Sequence, residues 1–268
     1  DIIETNTFSS QRISQADYGL EAHSYDIALA GAKLARKAAD EFNTDEKPRF
    51  VAGSIGPTNK TCSMSPDVSN PAARDVTYDD LFDAYKEQVN GLLDGGVDAL
   101  LIETIFDTLN AKVAVDVAQT VMEERGLDLP IMLSVTVSDL AGRTLSGQTL
   151  DAFLGSISEY NIFSVGLNCS FGARQMKPYL KELCKKAPYY ISAYPNAGLP
   201  NSLGQYDQTP EEMAAEVKEY IDEGLVNIIG GCCGTTEAYI AKYQEFIKDV
   251  KPHVPAPKPD YLWLSGLE

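Results

Sequence analysis

Short apolar runs alternate with longer amphipathic stretches along the chain, and the alternation occurs seven times. Apolar runs bounded by turn residues predict buried strands, whereas apolar positions at three- and four-residue spacing predict helices. The pattern predicts strands at residues 1–5, 50–54, 98–103, 131–137, 163–168, 189–193 and 226–230. It predicts helices at residues 14–42, 77–93 (with Thr77 as the N-cap), 108–125, 149–160, 173–186, 210–223 and 236–250.

A strand followed by a long helix, repeated along the chain, is typical of a parallel sheet with crossover helices. We therefore predict an α/β fold, specifically a (β/α)8 TIM barrel whose first strand is missing, because the sequence begins at what looks like the end of a strand. An open doubly wound sheet is the rival fold, and the lack of a G-x-G-x-x-G motif after any strand disfavours it. The prediction is one barrel domain over residues 1–251 and a Pro-rich linker over residues 252–268.

Composition narrows the class of protein. Hydrophobic residues make up 44% of the chain, and no apolar run reaches the length of about 18 residues that would suggest a membrane span. The net charge is −17, so we expect neither a nucleic-acid nor a membrane partner. Five cysteines, an odd number without regular spacing, argue against a secreted disulfide framework and favour a cytoplasmic location.

Three of the five cysteines fall at predicted strand ends. Because the carboxyl ends of barrel strands converge on one mouth, Cys169, Cys232 and Cys233 are predicted to meet and to bind zinc. Alternatives are that the adjacent pair is simply buried at a tight turn, or forms a disulfide that leaves Cys169 unexplained. Cys62 and Cys184 are predicted to be structural, and no catalytic residue is predicted beyond the zinc site.

Three thiolates and one open position suit a particular substrate. Thiolates donate charge to the metal, so the site favours a thiol over an activated water. A free thiol is mostly protonated at neutral pH, and coordination removes its proton. The site therefore predicts the binding and activation of a thiol substrate.

Two further strand-end residues are candidates for substrate binding. Glu103 ends an apolar strand and could receive the ammonium group of an amino acid, or could form a structural salt bridge. Asn196 could face the metal and occupy its fourth position without substrate, or could stabilise a turn.

The zinc residues lie in sequences that resemble a known family. The segments Gly166-Leu167-Asn168-Cys169 and Gly230-Gly231-Cys232-Cys233-Gly234-Thr235-Thr236 resemble the zinc motifs of homocysteine S-methyltransferases. Further matching segments are residues 1–8, 56–59, 102–108, 142–148 and 195–200. Within the family, these segments are most similar to the amino-terminal modules of cobalamin-dependent methionine synthases.

This resemblance implies a zinc-dependent methyltransferase with homocysteine as its substrate. It also implies two partners in the same polypeptide, a module that carries cobalamin and a module that binds methyltetrahydrofolate, toward which residues 264–268 would lead. Glu103 aligns with a family carboxylate that contacts the homocysteine amino group. The chain departs from the family at Tyr194, where some relatives have histidine, and in lacking the first strand with its acidic substrate contact.

Three other functions remain open at this point. A stand-alone homocysteine S-methyltransferase that uses betaine or S-methylmethionine would have the same zinc chemistry. A phosphate-binding barrel lyase or aldolase would need a lysine or histidine at a strand end, and none of the predicted ends has one. A non-catalytic zinc scaffold would need a fourth protein ligand.

Overall fold

The computed structural model describes all 268 residues, Asp1–Glu268. They form two compact units, residues 1–132 and residues 133–268, called here the first and the second unit. Strands and helices alternate along the chain in both units.

The first unit contains the strands β1 (Ile2–Glu4), β2 (Phe50–Ile55), β3 (Ala99–Ile105) and the start of β4 (Ile131–Val135). Its helices are α1 (Arg12–Gln15), α2 (Ser24–Phe42), α3 (Tyr78–Asp94) and α4 (Thr108–Arg125). β2 pairs in parallel with β1 on one side and with β3 on the other. β2 and β3 are almost entirely buried, which explains their continuous apolar sequences.

The helices of the first unit follow the local sequence. α2 buries alanines at three- and four-residue spacing, namely Ala28, Ala32, Ala35 and Ala39. The buried face of this helix therefore consists mainly of small side chains. Thr77 is the N-cap of α3, as the sequence predicted, and its side chain forms a reciprocal capping box with Asp80. Gly126 follows the last residue of α4 and caps the helix in a left-handed conformation.

The second unit contains the end of β4 and the strands β5 (Ser164–Gly172), β6 (Tyr190–Asn196) and β7 (Ile228–Ile229). Its helices are α5 (Leu150–Ile157), α6 (Ala173–Lys186), α7 (Pro210–Asp222) and α8 (Glu237–Tyr243). β6 pairs in parallel with both β5 and β7. In both units consecutive strands are neighbours and a helix follows each strand, so the predicted α/β class is confirmed as a TIM-barrel-like fold that lacks one strand.

The predicted helix over residues 14–42 is wrong in its first part. Two short 3-10 turns, Ala16–Tyr18 and Glu21–His23, precede α2, which begins only at Ser24. Gly19 lies between these turns with a φ of 66°, a left-handed conformation that ends a helical path.

The predictions for residues 149–160 and 236–250 extend two helices too far. α5 ends at Ile157 and α8 at Tyr243. Beyond these ends, Tyr160 N–H donates to Ile157 and Phe246 N–H donates to Tyr243, which are the tighter i to i+3 bonds of a fraying helix end.

The predicted last strand, residues 226–230, is reduced to Ile228–Ile229. Next to it, the Asn227 side chain accepts the hydrogen bond from Ile191 N–H at 2.8 Å, where a regular ladder would use a backbone carbonyl.

Residues 252–268 contain no helix or strand, and they contact other residues of the second unit. Ala256 N–H donates to Ala187 O, and Thr149 N–H donates to Leu267 O, both at 3.0 Å. The role of this segment as a linker stays a prediction. None of the helices combines the length and the apolar composition that crossing a membrane requires.

Candidate metal centre

The first cysteine of the centre lies in an irregular part of β5. The register against β6 shifts between Asn168 and Gly172, and Cys169 and Ser170 both have left-handed backbones, with φ values of 62° and 58°. Residues other than glycine adopt this conformation at a cost of roughly 1–2 kcal/mol each. The strained backbone conformation therefore coincides with Cys169 and with the irregular part of the strand.

The other two cysteines lie in the turn that follows β7, and backbone hydrogen bonds fasten this turn to the end of β6. Cys232 N–H donates to Pro195 O, and Ala197 N–H donates to Cys233 O, both at 2.9 Å. Gly234 completes the turn with a φ of 80°, which a side chain would disfavour. Two neighbouring side chains are thereby held at fixed positions.

The three sulfur atoms form one cluster, all within 4.8 Å of one another. Cys233 Sγ lies 3.8 Å from Cys169 Sγ and 3.9 Å from Cys232 Sγ. Sulfur atoms at about 2.3 Å from one tetrahedral zinc ion are about 3.8 Å apart, so the cluster fits this metal. The structure therefore brings together the three cysteines that the sequence selected.

Two buried asparagines surround the cluster. Asn168 Nδ2 lies 3.9 Å from Cys232 Sγ, and Asn168 Oδ1 accepts a 2.7 Å hydrogen bond from Ser134 Oγ. Asn196 Oδ1 accepts a hydrogen bond from Cys233 N–H at 3.1 Å. Asn196 thus holds the turn in this structure, which matches the turn-stabilising alternative considered for it; its role toward substrate stays a prediction.

The protonation states of the three thiols differ. The hydrogen bond from the Cys232 thiol, with a smaller contribution from Ser170 N–H, lowers the pKa of Cys169 to about 5 against the opposing effect of burial. The same bond is the main reason that the pKa of Cys232 is raised, while burial and the charge of Cys169 raise the pKa of Cys233. Metal binding by three thiolates therefore releases protons from the thiols whose pKa is raised.

Glu103 lies in the first unit, on β3. It is 9% exposed and accepts a hydrogen bond from Ser54 Oγ. Thr104, the next residue, has a φ of 56°, a strained conformation for a β-branched side chain. Desolvation, followed by the charge of Glu103, raises the pKa of Glu4 to about 8, although Glu4 as a whole is among the exposed residues. Two acidic side chains, Glu4 and Glu103, thus lie close together, and a cationic group would be favoured beside them.

The two remaining cysteines lie apart from the cluster. Cys62 is buried and hydrogen-bonds to Val76 O, and Cys184 hydrogen-bonds to Leu225 O. Burial raises the pKa of both thiols, to about 11 for Cys184. A residue that the sequence did not single out, Tyr206, packs against Gly234, the residue that follows Cys233. It lies in a loop, and no local motif marks it.

A parallel β/α repeat with three cysteine sulfurs clustered after its strands defines a TIM-barrel-like protein with a site for a thiophilic metal ion. Within this class, the chain belongs to the homocysteine S-methyltransferase family, whose family model matches residues 1–247. Membership of this family supports a methyltransferase.

Solved structures of the homocysteine methyltransferase MmuM from Escherichia coli are similar to this chain. The metallated form has a TM-score of 0.73 at 22% identity, over 91% of this chain and 78% of that chain. The oxidized form has a TM-score of 0.71 at 22% identity, with the same coverage. At this identity the likeness shows a shared fold.

Proposed function

We propose that this chain is the homocysteine-binding module of a cobalamin-dependent methionine synthase, with zinc held by Cys169, Cys232 and Cys233. The observation that supports this most directly is the cluster of three sulfurs at spacings that a tetrahedral zinc ion requires. Membership of the homocysteine S-methyltransferase family supports homocysteine as the substrate.

Three protein ligands leave the fourth tetrahedral position for the substrate sulfur. When bound, zinc supplies the positive charge that keeps a thiol deprotonated at neutral pH. The three cysteine thiolates add negative charge around the substrate sulfur and so keep it nucleophilic. The sulfur would then attack the methyl carbon of the donor, the bond between that carbon and the donor would break with its electron pair left on the donor, and the product would be methionine.

Two residues complete the proposal for the substrate. Glu103 binds the ammonium group of homocysteine, because it is a buried carboxylate beside a second acidic side chain, Glu4, and a cation is favoured there. Asn196 borders the bound substrate, because its side chain already accepts a hydrogen bond from Cys233 N–H.

The proposed methyl donor is methylcobalamin on another module of the same enzyme, itself remethylated from methyltetrahydrofolate. The support is the sequence similarity along the chain, including residues 264–268. A stand-alone enzyme that uses betaine or S-methylmethionine would share the zinc chemistry, so the donor needs its own assay.

The first experiment compares zinc content and homocysteine affinity in the unmodified chain and in Cys232→Ala. We expect the variant to lose most of its zinc and its homocysteine binding, while Cys184→Ala, outside the cluster, keeps both. Retention of both properties by Cys232→Ala would refute the metal assignment.

The second experiment supplies homocysteine with methylcobalamin, betaine or S-methylmethionine and measures methionine. Formation of methionine with methylcobalamin alone is the expected result. Turnover with betaine or S-methylmethionine instead would identify the stand-alone type of enzyme.

A further inference from the structure

Ser54, on β2, lies beside Glu103, the residue proposed to bind the substrate ammonium group. In the parallel register Ser54 pairs with Leu101 of β3, so Glu103, two positions further along β3, projects from the same face of the sheet. There the Glu103 carboxylate accepts a hydrogen bond from the Ser54 hydroxyl. Both side chains are buried, with 2% of Ser54 and 9% of Glu103 exposed.

The backbone of Ser54 is held by the segment that follows β1. Ser54 N–H donates to Thr5 Oγ1 at 2.9 Å, and Ser54 O accepts from Thr7 Oγ1 at 2.7 Å. Since the Thr7 hydroxyl is the donor to Ser54 O, the Thr5 hydroxyl donates to Thr7 Oγ1, at 2.6 Å. Gln88 Nε2, from α3, donates to Thr7 O at 2.8 Å. This buried network fixes Ser54, so the hydroxyl that donates to Glu103 has a defined position.

We propose that Ser54 is a positioning residue for substrate recognition, whose hydroxyl holds the Glu103 carboxylate in the orientation that receives the ammonium group of homocysteine. The inference rests on the proposed function, in which Glu103 binds that group. A flexible side chain that becomes ordered only when the ligand binds weakens the affinity. Because Ser54 orders Glu103 before the substrate arrives, the binding of homocysteine does not carry this cost.

A purely structural role for the same hydrogen bond makes a different prediction. A buried carboxylate needs a donor whether or not it binds a substrate, so loss of the Ser54 hydroxyl would then affect the fold and all ligands alike. A positioning role concerns only ligands that carry an amino group. 4-Mercaptobutyrate, which is homocysteine without its amino group, is therefore the matched probe.

The experiment titrates both thiols calorimetrically into the full zinc-loaded chain. We expect Ser54→Ala to bind homocysteine roughly 2- to 10-fold more weakly, the scale of immobilising one flexible side chain, and to bind 4-mercaptobutyrate as the unmodified chain does. Thr7→Val is the matched control, because it removes a hydroxyl that bonds to Ser54 O and keeps the methyl group that packs against Gly31. It should lower the stability toward urea and leave the ratio of the two affinities unchanged.

A second pair of variants makes the test independent of the alanine substitution. Ser54→Thr and Ser54→Val have nearly the same shape, and only threonine retains a hydroxyl. Threonine should preserve the preference for homocysteine, and valine should reduce it as alanine does. Because both thiols are titrated into the same preparation, the ratio of their affinities does not depend on how much of a variant folds.

The outcomes separate the two proposals. If the unmodified chain binds neither thiol, the proposed function fails and the inference fails with it. If the unmodified chain prefers homocysteine and Ser54→Ala keeps that preference in full, the inference alone is overturned. An equal loss for both thiols would also overturn it, because the hydroxyl would then be structural. Adding Ser54→Ala to Glu103→Ala should weaken homocysteine binding no further, and an additional loss would show that Ser54 does not act through Glu103.

Discussion

Cys169 Sγ and Cys233 Sγ lie 3.8 Å apart, although 64 positions separate the two residues in the chain. Two backbone features produce this proximity: the left-handed conformation of Cys169 and Ser170, and the hydrogen bonds that fasten the turn of Cys232 and Cys233 to β6. Since neither feature involves a metal ion, the fold itself holds the sulfurs near the positions that a metal needs.

The strain at Ser170 predicts an increase in stability on substitution by glycine. Because glycine adopts a φ near 58° readily, we expect Ser170→Gly to raise the free energy of unfolding by about 0.5–1 kcal/mol, the relief of strain being partly offset by a more flexible unfolded chain. Urea unfolding measures the change. Ser156→Gly, inside α5, should instead lose about 0.5 kcal/mol. A loss of stability in Ser170→Gly would show that the backbone there is not strained.

Asn168 is predicted to support both the fold and the metal centre. It is 1% exposed, and Asn168→Ala would leave Ser134 Oγ without this acceptor and Cys232 Sγ without this donor. We expect a loss of about 1–3 kcal/mol in stability and a zinc affinity roughly 10-fold lower.

Ser134→Ala is the control for Asn168, since it removes the hydroxyl and leaves the amide near Cys232. It should lower stability and leave zinc affinity nearly unchanged. Equal zinc affinities in Asn168→Ala and the unmodified chain would exclude a role of the amide at the sulfur.

Glu4 predicts a pH dependence of stability. Its pKa is about 8 in the folded chain against an ordinary value of 4.5, so between these values the folded state binds more protons than the unfolded state. The contribution of Glu4 to stability is therefore complete below pH 4.5 and is lost as the pH rises toward 8. Glu4→Gln cannot ionise, so its stability relative to the unmodified chain should increase from pH 5 to pH 9.

Urea unfolding at several pH values measures this difference. A difference between Glu4→Gln and the unmodified chain that stays constant over this range would contradict the raised pKa.

Glu103 is predicted to act on the amino group of the substrate and not on the metal. We expect Glu103→Gln to weaken homocysteine binding about 10-fold or more, the loss of one charge-assisted hydrogen bond, with zinc content unchanged. Calorimetric titration measures the affinity. A thiol without an amino group, such as 3-mercaptopropionate, should bind both proteins alike, and an equal loss for both thiols would contradict the assignment.

Much of the fold could be predicted because the apolar strands are nearly continuous and the helices carry their own N-caps, as Thr77 does for α3. The metal cluster could be predicted because parallel strands end on the same side of a sheet, which brings Cys169 near the later pair. These signals are local, or follow directly from the repeat.

The missed features depend on tertiary contacts. The packing of Tyr206 requires its loop to fold back onto Gly234, and the raised pKa of Glu4 requires the burial of its carboxyl group and the proximity of Glu103. The left-handed backbone at Cys169 could not be predicted, because the residue is not a glycine. The break before α2 rests on Gly19, and a single glycine does not by itself end a predicted helix.

The central claim is that three cysteine sulfurs hold zinc and leave one position for a thiol substrate. X-ray absorption at the zinc edge tests it most directly, on the zinc-loaded chain with and without homocysteine. The account predicts three sulfur neighbours at about 2.3 Å without homocysteine and four with it. A sulfur count that stays the same when homocysteine is added would contradict the account.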